Sequence, residues 1–282
     1  MTANNILITG CSSGIGRATA IHFARQQWQV FATVRQQEDA DALMMTGYTN
    51  IHVLMLDVDD ESQIKQLTRL LNKQLKHTGL QVLINNAAMC ESAPVEFAST
   101  EHMQNHFSTN VIAPMVLVRS LLPLLKRANG RVINLSSGVA TMSAPLMGFY
   151  SATKAALDSL SDALRVEVKG SDVKVIVVEP GMVDSPMHSK YEKSLKSLQQ
   201  TMPDNALDYY REAFKRQQQL IRQLLKTAIK PEKVALAIHK AAIDKRPKLR
   251  YQVGTDAKTY HWLQALLPSP AKDHLWTRIL GF

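Results

Sequence analysis

The chain reads as an α/β protein built on one doubly wound parallel sheet with helices on both faces. Two observations predict this. Short, continuous apolar runs alternate with stretches of helical periodicity as far as residue 178, and a glycine-rich turn joins the first run to the first helical stretch. A strand apolar on both sides is one covered on both faces, and strand–helix alternation requires parallel crossovers.

In chain order, strands are expected at 6–9, 29–34, 52–56, 81–85, 131–135 and 173–178. Helical periodicity fills 15–27, 62–76, 101–127 and 149–168. The alternation stops after Pro180 and Gly181. Residues 182–230 read as a loop rich in Met, Ser and Lys, followed by a long helix near 205–226. Ligands of open α/β sheets bind at the C-terminal ends of the strands, so this segment reads as a helical substrate lid. A helix at 231–243 and a strand at 249–253 complete a domain spanning 1–258. The stretch 259–282 is an amphipathic tail expected to pack on the same domain.

Size and composition narrow the function classes. At 282 residues, 45% hydrophobic and 20% charged, the chain suits one large globular domain with ample core. Its net charge of +9 comes from scattered Lys and Arg with no run of five, which argues against nucleic acid and fits an anionic cofactor. Two cysteines, Cys11 and Cys90, give neither a disulfide framework nor metal spacing. His102 and His106 stand four apart on an expected helix and read as a solvated face, so no metal site is expected. With no secretory segment seen and no apolar run of membrane-spanning length, the expected location is the cytoplasm.

The turn Thr9-Gly-Cys-Ser-Ser-Gly-Ile-Gly16 carries the first functional signal. Gly10 permits a tight turn, Gly14 lets the backbone approach a pyrophosphate, and Gly16 brings helix and sheet together. Thr9, Ser12, Ser13 and Ile15 complete a loop whose unpaired N–H groups at the helix start would meet phosphates. The second strand ends in Val34 and Arg35 where an acid would hold the ribose 2′-hydroxyl of NAD. An arginine there can pair with the 2′-phosphate of NADP, so NADP(H) is expected, with NAD(H) as the alternative. Asp57, followed by Val58 at the end of the third strand, could accept from the adenine amine or cap the next helix.

Tyr150 and Lys154 are the chain's only Tyr-x-x-x-Lys and would share a helix face. A free phenol titrates near pH ~10. An ammonium at about 5 Å and an effective dielectric of roughly 20 would favour phenolate by about 3 kcal/mol, or about two pKa units, with desolvation opposing. Ser137 or Ser136, neighbours that point oppositely at a strand end, could bind a substrate oxygen. Pro114 has no N–H to give the carbonyl of Asn110, which leaves either a simple kink or a water site serving Lys154.

These residues together resemble the short-chain dehydrogenase/reductase family over about residues 4–254. The loop 9–16 is similar to that family's cofactor motif. Asn85-Asn-Ala-Ala88 resembles its Asn-Asn-Ala-Gly, and Pro180-Gly-Met-Val-Asp-Ser185 its Pro-Gly-x-Val-x-Thr. The resemblance implies a Rossmann-type sheet in the order 3-2-1-4-5-6-7 and a catalytic set of Asn110, Ser137, Tyr150 and Lys154. It also implies cofactor contacts from Asn86, Ala87, Tyr150, Lys154, Pro180, Gly181, Val183 and Ser185, and a homodimer or homotetramer. Ala88 departs from the family glycine, and Ser185 replaces a threonine while keeping its hydroxyl. The segments Val30-Phe-Ala-Thr-Val-Arg35 and Tyr251-Gln-Val-Gly-Thr-Asp-Ala257 resemble the branch holding 17β-hydroxysteroid and retinol dehydrogenases.

The expected reaction is hydride transfer between a nicotinamide and a carbonyl carbon or alcohol, with Tyr150 as general acid or base. Met142, Met147, Met182 and Met187 flank the expected pocket beside Ser137 and Tyr150, so the substrate should be a small hydrophobic ketone, aldehyde or alcohol. The competing function is a catalytically silent NADP(H)-binding regulator on the same fold. The tail, with Trp262 and Trp276, could cap the pocket or build a dimer face, with a membrane surface as the lesser expectation.

Overall fold

In the computed structural model, which describes residues 4–282, seven parallel strands form one sheet in the order β3-β2-β1-β4-β5-β6-β7. The strands are β1 (Asn5–Ile8), β2 (Gln29–Val34), β3 (Ile51–Met55), β4 (Val82–Asn85), β5 (Arg131–Leu135), β6 (Lys174–Pro180) and β7 (Arg250–Val253). The helices between them are α1 (Gly14–Arg25), α2 (Gln37–Met44), α3 (Glu61–Gln74), α4 (Thr100–Phe107), α5 (Ala113–Arg127) and α6 (Gly148–Glu167). After β6 come α7 (Met187–Thr201), α8 (Asp204–Leu225) and α9 (Pro231–Ile243), and after β7 come α10 (Thr255–Leu266) and α11 (Ser269–Leu280).

Successive strand residues serve opposite layers. Ile6, Ile8, Val30 and Ile84 pack with Phe23 of α1 and Ile238 of α9, whereas Leu7, Phe31 and Leu83 pack with Leu71 of α3 and Leu121 of α5. Both faces of each central strand are therefore apolar, the pattern the sequence displays. The strand order reverses between β1 and β4, and the crevice opening there at their C-terminal ends is where such sheets bind ligands. A third apolar cluster stands apart from the sheet. Leu146, Tyr191, Leu195, Phe214, Trp276 and Leu280 join α7, α8 and α11 over the crevice.

Three elements differ from expectation. α2 was not foreseen; it has eight residues and buries only Ala40 and Leu43, too short a stripe to show a period. The loop expected after residue 182 is mostly helix. α7 hides a stripe of Tyr191, Leu195 and Leu198 among polar residues, and this is the face it lays on the third cluster. The helix expected at 101–127 is divided by a π-helical turn, Ser108–Ile112, where Ala113 N–H donates to Ser108. Pro114 forces this, since it can make no N–H bond back to Asn110. The composite stretch Thr100–Arg127 is also long and apolar enough by length and composition to cross a membrane, contrary to the sequence reading. Here its apolar face, Leu117, Leu121, Leu124 and Leu125 among others, is buried against the sheet.

Candidate active site

The glycine turn sits at the β1–β4 crevice. Gly10 has φ +71°, and a Cβ on it would lie 2.9 Å from Ala87 Cα; one on Gly16 would lie 2.2 Å from the Gly10 carbonyl oxygen. Only hydrogen fits at either position, so α1 starts pressed against the loop that follows β4. Thr9 Oγ1 accepts from the N–H groups of Asn86 and Ala87, both at 3.0 Å. Asn86 Nδ2 donates back to the carbonyls of Thr9 at 2.8 Å and Gly10 at 3.0 Å. Thr9 and Gly16 thus hold the cradle from behind, while Gly10, Ser12, Ser13, Gly14, Ile15, Asn86 and Ala87 form its surface. No side chain caps the start of α1 and no acid occupies its first turn, so its N–H groups face the crevice free to bind an anion.

These walls belong to one cleft of about 740 Å³ that also reaches Val34, Arg35, Val58, Ser137, Tyr150 and Lys154. Arg35 is exposed on its rim, just past β2. Asp57 lies outside the cleft and faces an adjoining depression with Arg35 and Gln63. Its carboxylate accepts the Asp59 N–H at 3.1 Å, so local turn geometry claims an oxygen expected to be free for adenine. Asp59, which the sequence reading passed over, does line the cleft, and its carboxylate is bonded by the hydroxyls of Ser108 at 2.7 Å and Thr109 at 2.6 Å.

The Tyr150–Lys154 pair rides on the first turns of α6, beside the end of β5. Lys154 is buried; its Nζ donates to the Leu135 carbonyl at 2.8 Å and lies 5.7 Å from the centre of the Tyr150 ring. Burial lowers its pKa to about 8, with Cys90 and Asp158 opposing. Burial likewise pushes the Tyr150 phenol above its ordinary range; Cys90 adds to this, and a hydrogen bond with Ser137 opposes it. This direction is opposite to the lowering expected of a phenol beside an ammonium, and burial is its first cause. Desolvation is the first cause of both shifts, and it favours the neutral form of each group.

Both serines line the cleft; Ser137 pairs with Tyr150, whereas Ser136 directs its Oγ to the Lys154 carbonyl at 3.5 Å. Asn110 lies behind the wall. Its amide clamps Met89, accepting from the N–H and donating to the carbonyl, both at 2.9 Å, and donates to Thr153 Oγ1 at 3.0 Å. Cys90 follows Met89 onto the wall, where burial pushes its thiol up to about 12 and keeps it un-ionised.

The opposite wall is apolar. Met147, Met182 and Met187 line it, together with Pro180, Gly181, Val183 and Ser185. Met142 does not; it is 3% exposed and fills the lid cluster, because the turn after β5 aims it at α7 and α8. The sequence reading missed how much the lid and tail contribute. Leu220, Ile221 and Leu224 of α8, Tyr260 of α10 and Trp276 of α11 all reach the cleft. It also missed Asp256, whose carboxylate accepts the Met182 N–H and fills the space above Gly181, where a Cβ would lie 1.9 Å from Oδ1.

A family model described as "short chain dehydrogenase" matches residues 4–196. The chain is 34% identical over 268 residues to a 3-amino-tetrahydro-pyrrolizinone reductase of Xenorhabdus hominickii, covering 92% of this chain and 90% of that one. It is 32% identical to retinol dehydrogenase 5 of Mus musculus, covering 98% and 88%. It is 29% identical to an NADPH-dependent 3-dehydrocapnine reductase of Ornithobacterium rhinotracheale, covering 97% and 96%. Among solved structures, a short-chain dehydrogenase from Streptomyces avermitilis superimposes with a TM-score of 0.76 at 27% identity, covering 99% and 97%.

Proposed function

The chain belongs to the short-chain dehydrogenase family, and on that premise we propose that it is an NADP(H)-dependent oxidoreductase for a small hydrophobic ketone, aldehyde or alcohol. The observation that carries this reading is the meeting of Ser137, Tyr150 and Lys154 with the glycine cradle on one cleft. A bound nicotinamide supplies or accepts the hydride; the chain supplies position and the proton.

The residues fit the dinucleotide. Ser12, Ser13 and the open start of α1 would hold the pyrophosphate, and Arg35 on the rim would hold the 2′-phosphate. Ala87, Val183 and Ser185 would flank the nicotinamide half. Asn86 fixes the cradle, and Val58 would support the adenine. The relative named as an NADPH-dependent reductase and the arginine after β2 agree on the phosphorylated cofactor.

At the reacting centre, Ser137 Oγ would donate to the substrate oxygen and orient it, and Tyr150 Oη would give it a proton. A phenol carries its proton at neutral pH, so Tyr150 would act as the acid in carbonyl reduction and as the base in alcohol oxidation. Lys154 would stabilise the phenolate left behind. The methionines and the leucines of α8 give the substrate an adaptable apolar wall.

The test is NADPH oxidation by purified protein across apolar aldehydes and ketones, with NADH in parallel and Tyr150→Phe as control. Turnover with NADPH should fall roughly 10²–10⁴-fold in the variant while NADPH still binds. Equal turnover by parent and variant would refute the reading, and preference for NADH would remove Arg35 from it.

A further inference from the structure

Met89, Cys90 and Glu91 line the cleft in succession, and behind them lies a histidine with no part in the proton transfer. His106 on α4 is 0% exposed, against the solvated face expected of it from sequence. The Glu91 N–H donates to its Nε2 at 3.2 Å, and its Nδ1 stands 2.9 Å from the His102 carbonyl. A backbone N–H can only donate, so Nε2 is the unprotonated nitrogen and Nδ1 carries the ring proton. One ring nitrogen is thus committed to α4 and the other to the cleft wall.

This wall segment is pinned at both ends. Asn110 holds Met89 and His106 holds Glu91, which fixes Cys90 between them, close enough to bear on the charge of Tyr150 and Lys154. Beyond Glu91 the segment is tied to the turn that precedes α6. Ser92 Oγ and the Ala93 N–H both donate to the Leu146 carbonyl, at 2.8 and 2.9 Å, and Ala93 pairs with Met147. Tyr150 stands in the first turn of α6 just after, so slack at Glu91 would reach the substrate wall and the phenol together.

We propose that His106 is a positioning residue: with Nε2 unprotonated it holds Glu91, and through it the wall on which the substrate seats beside Tyr150. This rests on the oxidoreductase reading for the reaction, but not for the contact itself. Protonation of Nε2 would set two donors against each other and release the wall. The titratable groups facing the ring are His102 on α4, with ring centres 4.3 Å apart, and Glu91 on the loop after β4. The turn Ser108–Ile112 carries none, and α6 brings the Phe149 ring edge-on to His102 at 6.1 Å. Burial is the first cause holding the His106 pKa below its ordinary 6.5. The contact is therefore intact above that pH and is lost as pH falls through the lowered value.

The test follows NADPH oxidation with an apolar aldehyde across about pH 5–8, beside amide exchange and NADPH titration at neutral pH. His106→Leu removes the acceptor. KM for the aldehyde should rise about tenfold and exchange at residues 89–93 should quicken about tenfold, with NADPH affinity unchanged. His106→Gln offers an oxygen that does not titrate, so KM should stay within about threefold of the parent. In the parent, kcat/KM should fall as pH drops below 6.5; in His106→Gln that fall should vanish, and in His102→Gln it should remain. Parent-like KM and exchange in His106→Leu, or the same acid decline in parent and His106→Gln, would overturn the proposal. If His106→Leu does not fold, the pH comparison with His106→Gln decides alone. Should no aldehyde be reduced by any form, quickened exchange confined to 89–93 upholds the role of His106, and the oxidoreductase reading alone fails.

Discussion

At the scale of single residues, burial governs the charge state of the Tyr150–Lys154 pair. Coulomb attraction read from the Tyr-x-x-x-Lys spacing favours phenolate, yet Lys154 is buried, Tyr150 is half-buried on the cleft wall, and desolvation shifts each toward its neutral form. Spacing reveals that two groups meet, but the burial that decides which force wins is set by residues far away in sequence, such as Leu135 and Cys90. A pH profile tests this. With the Lys154 pKa lowered to about 8, its positive charge is present below that pH and lost above it. Carbonyl reduction should therefore decline as pH rises through about 8, because the phenolate formed on proton donation loses its stabilising neighbour. Arginine stays charged throughout, so in Lys154→Arg, however slow, the decline should move well upward in pH. If parent and variant decline together, another group controls the reaction.

At the scale of elements, the sheet and its main helices were readable because each is an apolar run or stripe set by one backbone period. α2 and α7 were not, since one is short and the other buries only a narrow stripe among polar residues. The cradle was legible from its glycines, whereas Met142 turns into the lid cluster and Asp57 faces the adjoining depression, because loops turn side chains by geometry that no period records. Asp256 belongs to the same class. It opens α10, yet its work is done on the loop after β6, where it accepts the Met182 N–H and packs over Gly181. That loop faces the cradle across the cleft: a Cβ on Gly14 would lie 3.2 Å from Ser185 Cβ. Asp256→Ala should free the loop, costing about 1–3 kcal/mol of stability and weakening NADPH binding roughly tenfold, with Asp256→Asn in between. Chemical denaturation and cofactor titration measure both. A loss of stability with unchanged NADPH affinity would confine Asp256 to a structural role.

At the scale of the molecule, two apolar layers on the sheet and a third cluster over the crevice divide the work. The sheet layers fix the cradle and the wall that carries Ser137 and Tyr150, while the third cluster joins α7 and α8 to α11 over the cleft. The tail was read from sequence as amphipathic and expected to pack on the same domain; the structure seats Trp276 and Leu280 against the lid and leaves Trp262 and Leu266 exposed. Because the third cluster has few contacts with the sheet layers, it can loosen without global unfolding. Leu280 is 1% exposed, so Leu280→Ala should cost about 2–5 kcal/mol, concentrated locally. Amide exchange should quicken in α7, α8 and α11 while the strands keep their protection, and KM for an apolar carbonyl should rise with NADPH affinity unchanged. Quickened exchange spread evenly through the strands would mean that lid, tail and sheet unfold as one cooperative unit, and that the cleft opens by some other motion.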